Sequence, residues 1–128
     1  MILVDSSVWI DLFRKGRRWE PAPFDLEQAA TCLPVVQEVL QGFRDEAAFR
    51  VAREALLSLP VVESPLSQDV FEKAIDLYRL GRRQGLTIRS PVDCLVAACA
   101  LRHDLTVLHR DRDFPALAKV SALRERRV

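Results

Sequence analysis

The sequence predicts an α/β fold with a small, mainly parallel sheet, and three observations carry that prediction. Short apolar runs without alternation, Ile2-Leu3-Val4 and Leu105-Thr106-Val107-Leu108, suit strands covered on both faces. Amphipathic stretches of helical period separate the runs. A carboxylate follows both runs, Asp5 directly after the first and Asp111 three residues beyond Leu108. In open α/β sheets ligands sit beyond the C-terminal ends of the strands.

The elements follow in order. Ile2 to Val4 reads as the first strand, and Val8-Trp9-Ile10-Asp11-Leu12-Phe13 as a helix, which places Asp5 at the junction. Gly16 to Gln28 reads as a loop punctuated by Pro21 and Pro23. "LPVVQEVLQG" is a helix with Pro34 in its first turn and Gly42 at or near its end. "RDEAAFRVAREALLSL" is rich in helix formers, and Val51, Ala52, Ala55, Leu56 and Leu59 form its apolar stripe. Pro60-Val61-Val62 offers a short strand. "LSQDVFEKAIDLYRLGRR" is amphipathic through Val70, Phe71, Ala74, Ile75, Leu77 and Tyr78. "SPVDCLVAACALRHD" is a helix apolar all round, hence buried on most sides. "LTVLHRD" is a strand and "RDFPALAKV" a short closing helix.

Composition narrows the functional classes. At 128 residues the chain reads as one domain, residues 1–128, with 49% hydrophobic and 29% charged residues. No signal peptide is expected, because Asp5 interrupts the first apolar run. The apolar stretch Leu95 to Leu101 is too short to cross a bilayer. Cys32, Cys94 and Cys99 lack Cys-x-x-Cys spacing, so a disulfide framework or zinc site is not expected and a reducing cytoplasm is. A net charge of +1 gives no global nucleic-acid signature. Arg14-Lys15-Gly16-Arg17-Arg18, Arg82-Arg83, and Arg124, Arg126 and Arg127 are local basic clusters.

The candidate chemistry lies in acids at element ends. Asp93 opens the apolar helix, with the small Ala97 and Ala100 on its face. Glu38 has Gly42 as its i+4 neighbour, which would clear similar space. Asp111 follows the last long strand and Asp113 comes two residues later. Each acid also has a bland reading. Asp5, with Ser6 or Ser7, is able to cap the next helix. Ser90-Pro91-Val92-Asp93 fits a capping box, Glu38 a solvated helix position, and Asp111 and Asp113 a turn. If the acids converge, two charges ~4 Å apart cost about 4 kcal/mol at an effective dielectric near 20. A divalent cation turns that repulsion into attraction, and oxygen-only ligands suit Mg²⁺ or Mn²⁺.

"ILVDSSVWIDLF", "VVQEVLQG" and "GLTIRSPVDCLVAACALRHDLTVLHRDRDF" resemble, in order, the motifs of the PIN-domain family, specifically its VapC-type toxin ribonucleases of toxin–antitoxin systems. The resemblance implies a three-layer α/β/α sandwich and an acidic quartet of Asp5, Glu38, Asp93 and Asp111. Asp113 matches a further acid and Ser6 a hydroxyl beside the first Asp. It also implies Mg²⁺ (or Mn²⁺), hydrolysis of RNA phosphodiester bonds to 5′-phosphate and 3′-hydroxyl ends, a cognate VapB-type antitoxin and a homodimer. On that reading Arg14, Lys15, Arg17, Arg18, Arg89 and Arg112 are candidates for the RNA backbone. His109 is either a phosphate or base contact or a structural strand-end residue. His103 reads as solvated, Asp11 as a helix-surface or intramolecular partner, Trp9 as core and Trp19 as a stacking candidate. Two rival functions stand beside this one: an inactive PIN module that binds RNA or protein, and a metal-dependent phosphoesterase acting on DNA.

Overall fold

A computed structural model describes residues 1–14 and 23–128. Among these, the elements run β1 (Ile2–Val4), α1 (Ser6–Arg14), a single 3₁₀ turn, β2 (Ala29–Cys32), α2 (Leu33–Leu40), α3 (Glu46–Leu57), β3 (Val61–Val62), α4 (Gln68–Arg83), α5 (Pro91–Arg102), β4 (Thr106–His109), α6 (Asp113–Lys119) and β5 (Glu125–Arg127). The strands form one sheet in the order β3-β2-β1-β4-β5, and every pair is parallel.

That order makes a switch point. From β1 the chain steps to β2 and β3 in one direction, and from β4 it steps to β5 in the other. Right-handed crossovers then put α1–α3 on one face and α4–α6 on the opposite face, in line with the way α1, α2 and α3, and α4, α5 and α6, pack among themselves. The crevice between the C-terminal ends of β1 and β4 is where such a sheet offers a binding site. Asp5 and Asp111 follow those two strands.

The centre of the sheet is dry: Leu3, Val4, Val107 and Leu108 are fully buried. The apolar α5 lies beneath it through Val96, Ala97, Ala98, Cys99 and Ala100. Trp9 is core, stacked on Phe13 at 6.2 Å and edge-on to Phe24 at 5.4 Å. Helix starts follow local chemistry. Asp45 caps α3 by accepting from the Ala48 N–H at 2.8 Å, and Ser67 caps α4 through Val70.

Four sequence expectations change. β2, Ala29-Ala30-Thr31-Cys32, was not expected, since small residues carry little strand preference. Its ladder to β1 and β3 makes it a strand. β5, Glu125-Arg126-Arg127, reads as a basic cluster yet pairs with β4 as a charged edge strand. The stripes of α3 and α4 are narrower than the apolar pattern. Val51 and Ala55 face solvent while Ala52 and Leu56 are buried. On α4, Val70, Ala74 and Leu77 are buried, whereas Phe71 is 45%, Ile75 56% and Tyr78 40% exposed. Gly42 lies exposed beyond α2 and lines a cavity together with Glu38, yet an added Cβ there would meet only the Val39 carbonyl at 3.6 Å, so that space does not require a glycine.

Candidate functional site

Asp5 is the single residue between β1 and α1, 1% exposed. Its N–H still belongs to the sheet, bonding the Leu108 carbonyl at 2.9 Å, so its backbone is fixed against β4. One carboxylate oxygen, Oδ2, accepts from the Ser7 N–H at 3.1 Å and the Ser7 Oγ at 2.6 Å. The other, Oδ1, is buried with no hydrogen-bond partner. Asp5 therefore does cap its helix, with half of its carboxylate. The hydroxyls divide between two acids: Ser7 serves Asp5, and Ser6 Oγ donates to Glu38 Oε1 from the neighbouring α2. Ser7 Oγ also accepts from the Arg110 N–H at 3.0 Å, tying the β4–α6 turn to the first acid.

Asp93 stands in the first turn of α5, after the N-cap Ser90 and Pro91. Ser90 Oγ accepts from the Asp93 N–H at 3.4 Å, which is one half of a capping box. The reciprocal half is made by another residue. Asp113 Oδ2 accepts from the Ser90 N–H at 2.9 Å, and both of its oxygens accept from the Arg89 N–H at 3.0 and 3.1 Å. The Asp93 carboxyl is thus released from capping, and its Oδ2 is buried without a partner. Asp111 completes the arrangement: its Oδ1 accepts from the Asp113 N–H at 3.0 Å. One ligand atom each from Asp93, Asp111 and Asp113 lies within 4.8 Å of the others.

The electrostatics show the cost of this convergence. Burial first, and then the charges of Asp5 and Asp111, push the Asp93 carboxyl up from 3.8 to about 9. Burial also raises Asp5, opposed by its Ser7 bonds and reinforced by the Glu38 charge. Without a counter-charge Asp93 holds a proton at neutral pH. A cation in the site favours its loss.

The structure thus gathers Asp93, Asp111 and Asp113 most tightly, with Asp5 near enough to repel Asp93 and Glu38 near enough to repel Asp5. Arg14, Arg89 and Arg112 are exposed. Lys15, Arg17, Arg18 and Trp19 lie outside the described residues. His109 is fully buried, so the phosphate or base contact is ruled out for it. His103 is exposed beside Glu63, and Asp11 pairs with Arg110 at 2.8 Å. Sequence reasoning names Ser7 only as a capping alternative to Ser6, which the Asp-x-Ser spacing of an Asx-type cap makes legible, and it misses one participant. Glu125, which meets His109 Nε2 at 2.5 Å, had no legible signal, because β5 was not foreseen.

Comparison with known proteins gives a consistent answer. The PIN domain family matches residues 2–120. The chain is 33% identical to the protein named Ribonuclease VapC11 of Mycobacterium tuberculosis (strain ATCC 25618 / H37Rv), over 96% of each chain. It is equally similar to the VapC ribonuclease Mb1587 of Mycobacterium bovis, again over 96% of both. Among solved structures, a toxin–antitoxin complex from Klebsiella pneumoniae aligns with a TM-score of 0.70 and 26% identity, over 89% of this chain and 90% of that one.

Proposed function

This chain belongs to the PIN-domain family, and from that premise we propose that it is a VapC-type toxin: a metal-dependent endoribonuclease that hydrolyses RNA phosphodiester bonds at the acidic crevice between β1 and β4. The observation that carries the reading is the pair of buried, partnerless oxygens, Asp5 Oδ1 and Asp93 Oδ2, beside the Asp93–Asp111–Asp113 cluster. A buried ionised carboxylate without a partner costs several kcal/mol, and an oxygen-only donor set fits Mg²⁺, or Mn²⁺ in its place.

Asp5 and Asp93, each with a buried oxygen no protein group takes, would hold the cation, with Asp111 contributing from the turn. Asp113 has its oxygens on the Arg89 and Ser90 N–H groups and serves chiefly to hold Asp93 and Asp111 in place. Glu38 closes the crevice from α2 and is steadied by Ser6. A divalent cation, when bound, supplies Lewis-acid polarisation of a phosphodiester and of the water that attacks it. The chain itself orients the acids through the Ser7, Arg89, Ser90 and Asp113 N–H groups. Exposed Arg14, Arg89 and Arg112 receive the RNA backbone, together with Lys15, Arg17 and Arg18. With a net charge of +1 the RNA track is local.

The partner is a VapB-type antitoxin. The Klebsiella pneumoniae neighbour is a toxin–antitoxin complex. A cavity of about 260 Å³ lined by Ile10, Phe13, Arg14, Val39 and Phe43 opens beside Glu38, giving an antitoxin segment an apolar seat next to acids that attract an Arg. The toxin forms a homodimer and acts in the cytoplasm; no described helix is long and apolar enough to cross a membrane.

The test is cleavage of total RNA in Mg²⁺, with EDTA and single-stranded DNA as parallel arms. Asp5→Asn and Asp93→Asn abolish cleavage while remaining folded. Full activity in either variant removes that residue from the site. Activity confined to DNA favours the phosphoesterase reading, and a folded wild type inert on both favours a binding module.

A further inference from the structure

His109 and Glu125 form a polar link that the proposed chemistry leaves unused. His109 ends β4, is fully buried, and lies against the Phe114 ring at 5.0 Å. Its Nδ1 accepts from the Asp111 N–H at 3.1 Å, and its Nε2 meets Glu125 Oε2 at 2.5 Å. A backbone N–H only donates, so Nδ1 is bare, the ring proton sits on Nε2, and Glu125 receives it. Both ring nitrogens are committed, and neither reaches the crevice as an acid or base.

We infer that His109, oriented by Glu125, is a positioning residue for the acidic site, fixing the backbone of the β4–α6 turn so that Asp111 presents its carboxylate to a divalent cation while Asp113 holds the start of α5. The inference rests on the metal-nuclease reading. The bonds form one continuous path. Glu125 on the edge strand sets the His109 tautomer, His109 anchors the Asp111 amide, and Asp111 Oδ1 anchors the Asp113 amide. Asp113 then holds the Arg89 and Ser90 amides ahead of α5, where Asp93 begins. A buried neutral imidazole has one donor and one acceptor to satisfy. Here the acceptor is satisfied by the amide of Asp111, on the turn that carries the acids. Partners that orient metal ligands in this way are commonly worth 10- to 100-fold in metal affinity.

Four variants of the full chain test this, by Mn²⁺ titration calorimetry, metal-free thermal unfolding and ¹⁵N NMR of the imidazoles. His109→Phe keeps the ring and removes both bonds. His109→Asn keeps an acceptor near the Nδ1 position. Glu125→Ala frees the tautomer, and Glu125→Gln retains an acceptor for Nε2–H. His109→Phe is expected to weaken Mn²⁺ binding about 10- to 100-fold, with His109→Asn recovering most of the loss. Glu125→Ala weakens binding and Glu125→Gln restores it, a rescue that a merely structural role does not give. In the wild type the His109 signals show Nδ1 bare and Nε2 protonated, and in Glu125→Ala a mixture of tautomers. Wild-type affinity in folded His109→Phe overturns the inference, as does a protonated Nδ1 in the wild type. If His109→Phe fails to fold, the Glu125 pair decides, and equal affinities in Glu125→Ala and Glu125→Gln overturn it. No Mn²⁺ uptake by the wild type overturns the metal-nuclease reading itself and the positioning role with it; wild-type uptake that the variants leave unchanged overturns the positioning role alone.

Discussion

Asp93 carries an oxygen that no protein group takes, and its carboxyl is pushed up to about 9. Folded Asp93 keeps its proton through a pH range in which the unfolded chain, with an ordinary value of 3.8, has lost it. The metal-free folded state therefore binds more protons than the unfolded state between those values. Its stability is fullest below pH 3.8 as far as Asp93 is concerned and declines as pH rises toward 9, by at most about 1.4 kcal/mol per pH unit. Asp5 is raised in the same direction and adds to the decline. Asp93→Asn accordingly raises the metal-free Tm at pH 8 relative to wild type and flattens its pH dependence, while losing cleavage. Unfolding curves at pH 5 and pH 8 check the first, and an Asn variant as pH-sensitive as wild type contradicts it. Metal binding at pH 7 displaces the same proton, so calorimetry in two buffers of different ionisation enthalpy should read a release of about one proton per site.

Among the elements, helix starts set local stability without touching the chemistry. Asp45 caps α3 through one 2.8 Å bond on an exposed surface. Asp45→Ala is expected to cost about 1 kcal/mol, a fall of roughly 4 °C in Tm, with Mn²⁺ affinity unchanged. A change in affinity would show that α3 is coupled to the site through α2. Asp113 works differently from a local cap, reaching across the fold to the Ser90 amide. Asp113→Asn exchanges one charged acceptor for an amide and should lower both Tm and metal affinity, whereas Asp45→Ala moves Tm alone.

At the scale of the whole molecule, the proposed homodimer has a natural surface on α4. Phe71, Ile75 and Tyr78 recur at helical spacing, exposed, beside a cavity of about 450 Å³ lined also by Pro91, Cys94 and Leu95. The helix begins with Asp69 and Glu72 and ends with Arg79, Arg82 and Arg83. A second copy laid antiparallel across Ile75 sets the acidic end of each helix against the basic end of the other, as a two-fold interface requires. Light scattering should find a dimer for the wild type, and Ile75→Glu should shift it toward monomer with little change in folding. A dimer untouched by Ile75→Glu would move the interface elsewhere.

By itself the sequence determined the α/β class, the strand-to-helix junction at Asp5, the long helices and the identity of the acids that stand at element ends. These are local matters: apolar periodicity, caps and a carboxylate after an apolar run are all visible within a dozen residues. Only the tertiary structure decided that β2 and β5 exist, because a short strand of small residues and another of charged ones are stabilised by ladders to distant neighbours. It also decided how each acid is used. Whether Asp93 caps its own helix or faces the crevice depended on Asp113, twenty residues later in the chain, taking the Ser90 amide. Hydrogen bonds between segments far apart in sequence leave no periodic trace, so Ser7's second partner and Glu125's hold on His109 came into view only when the sheet brought those segments together.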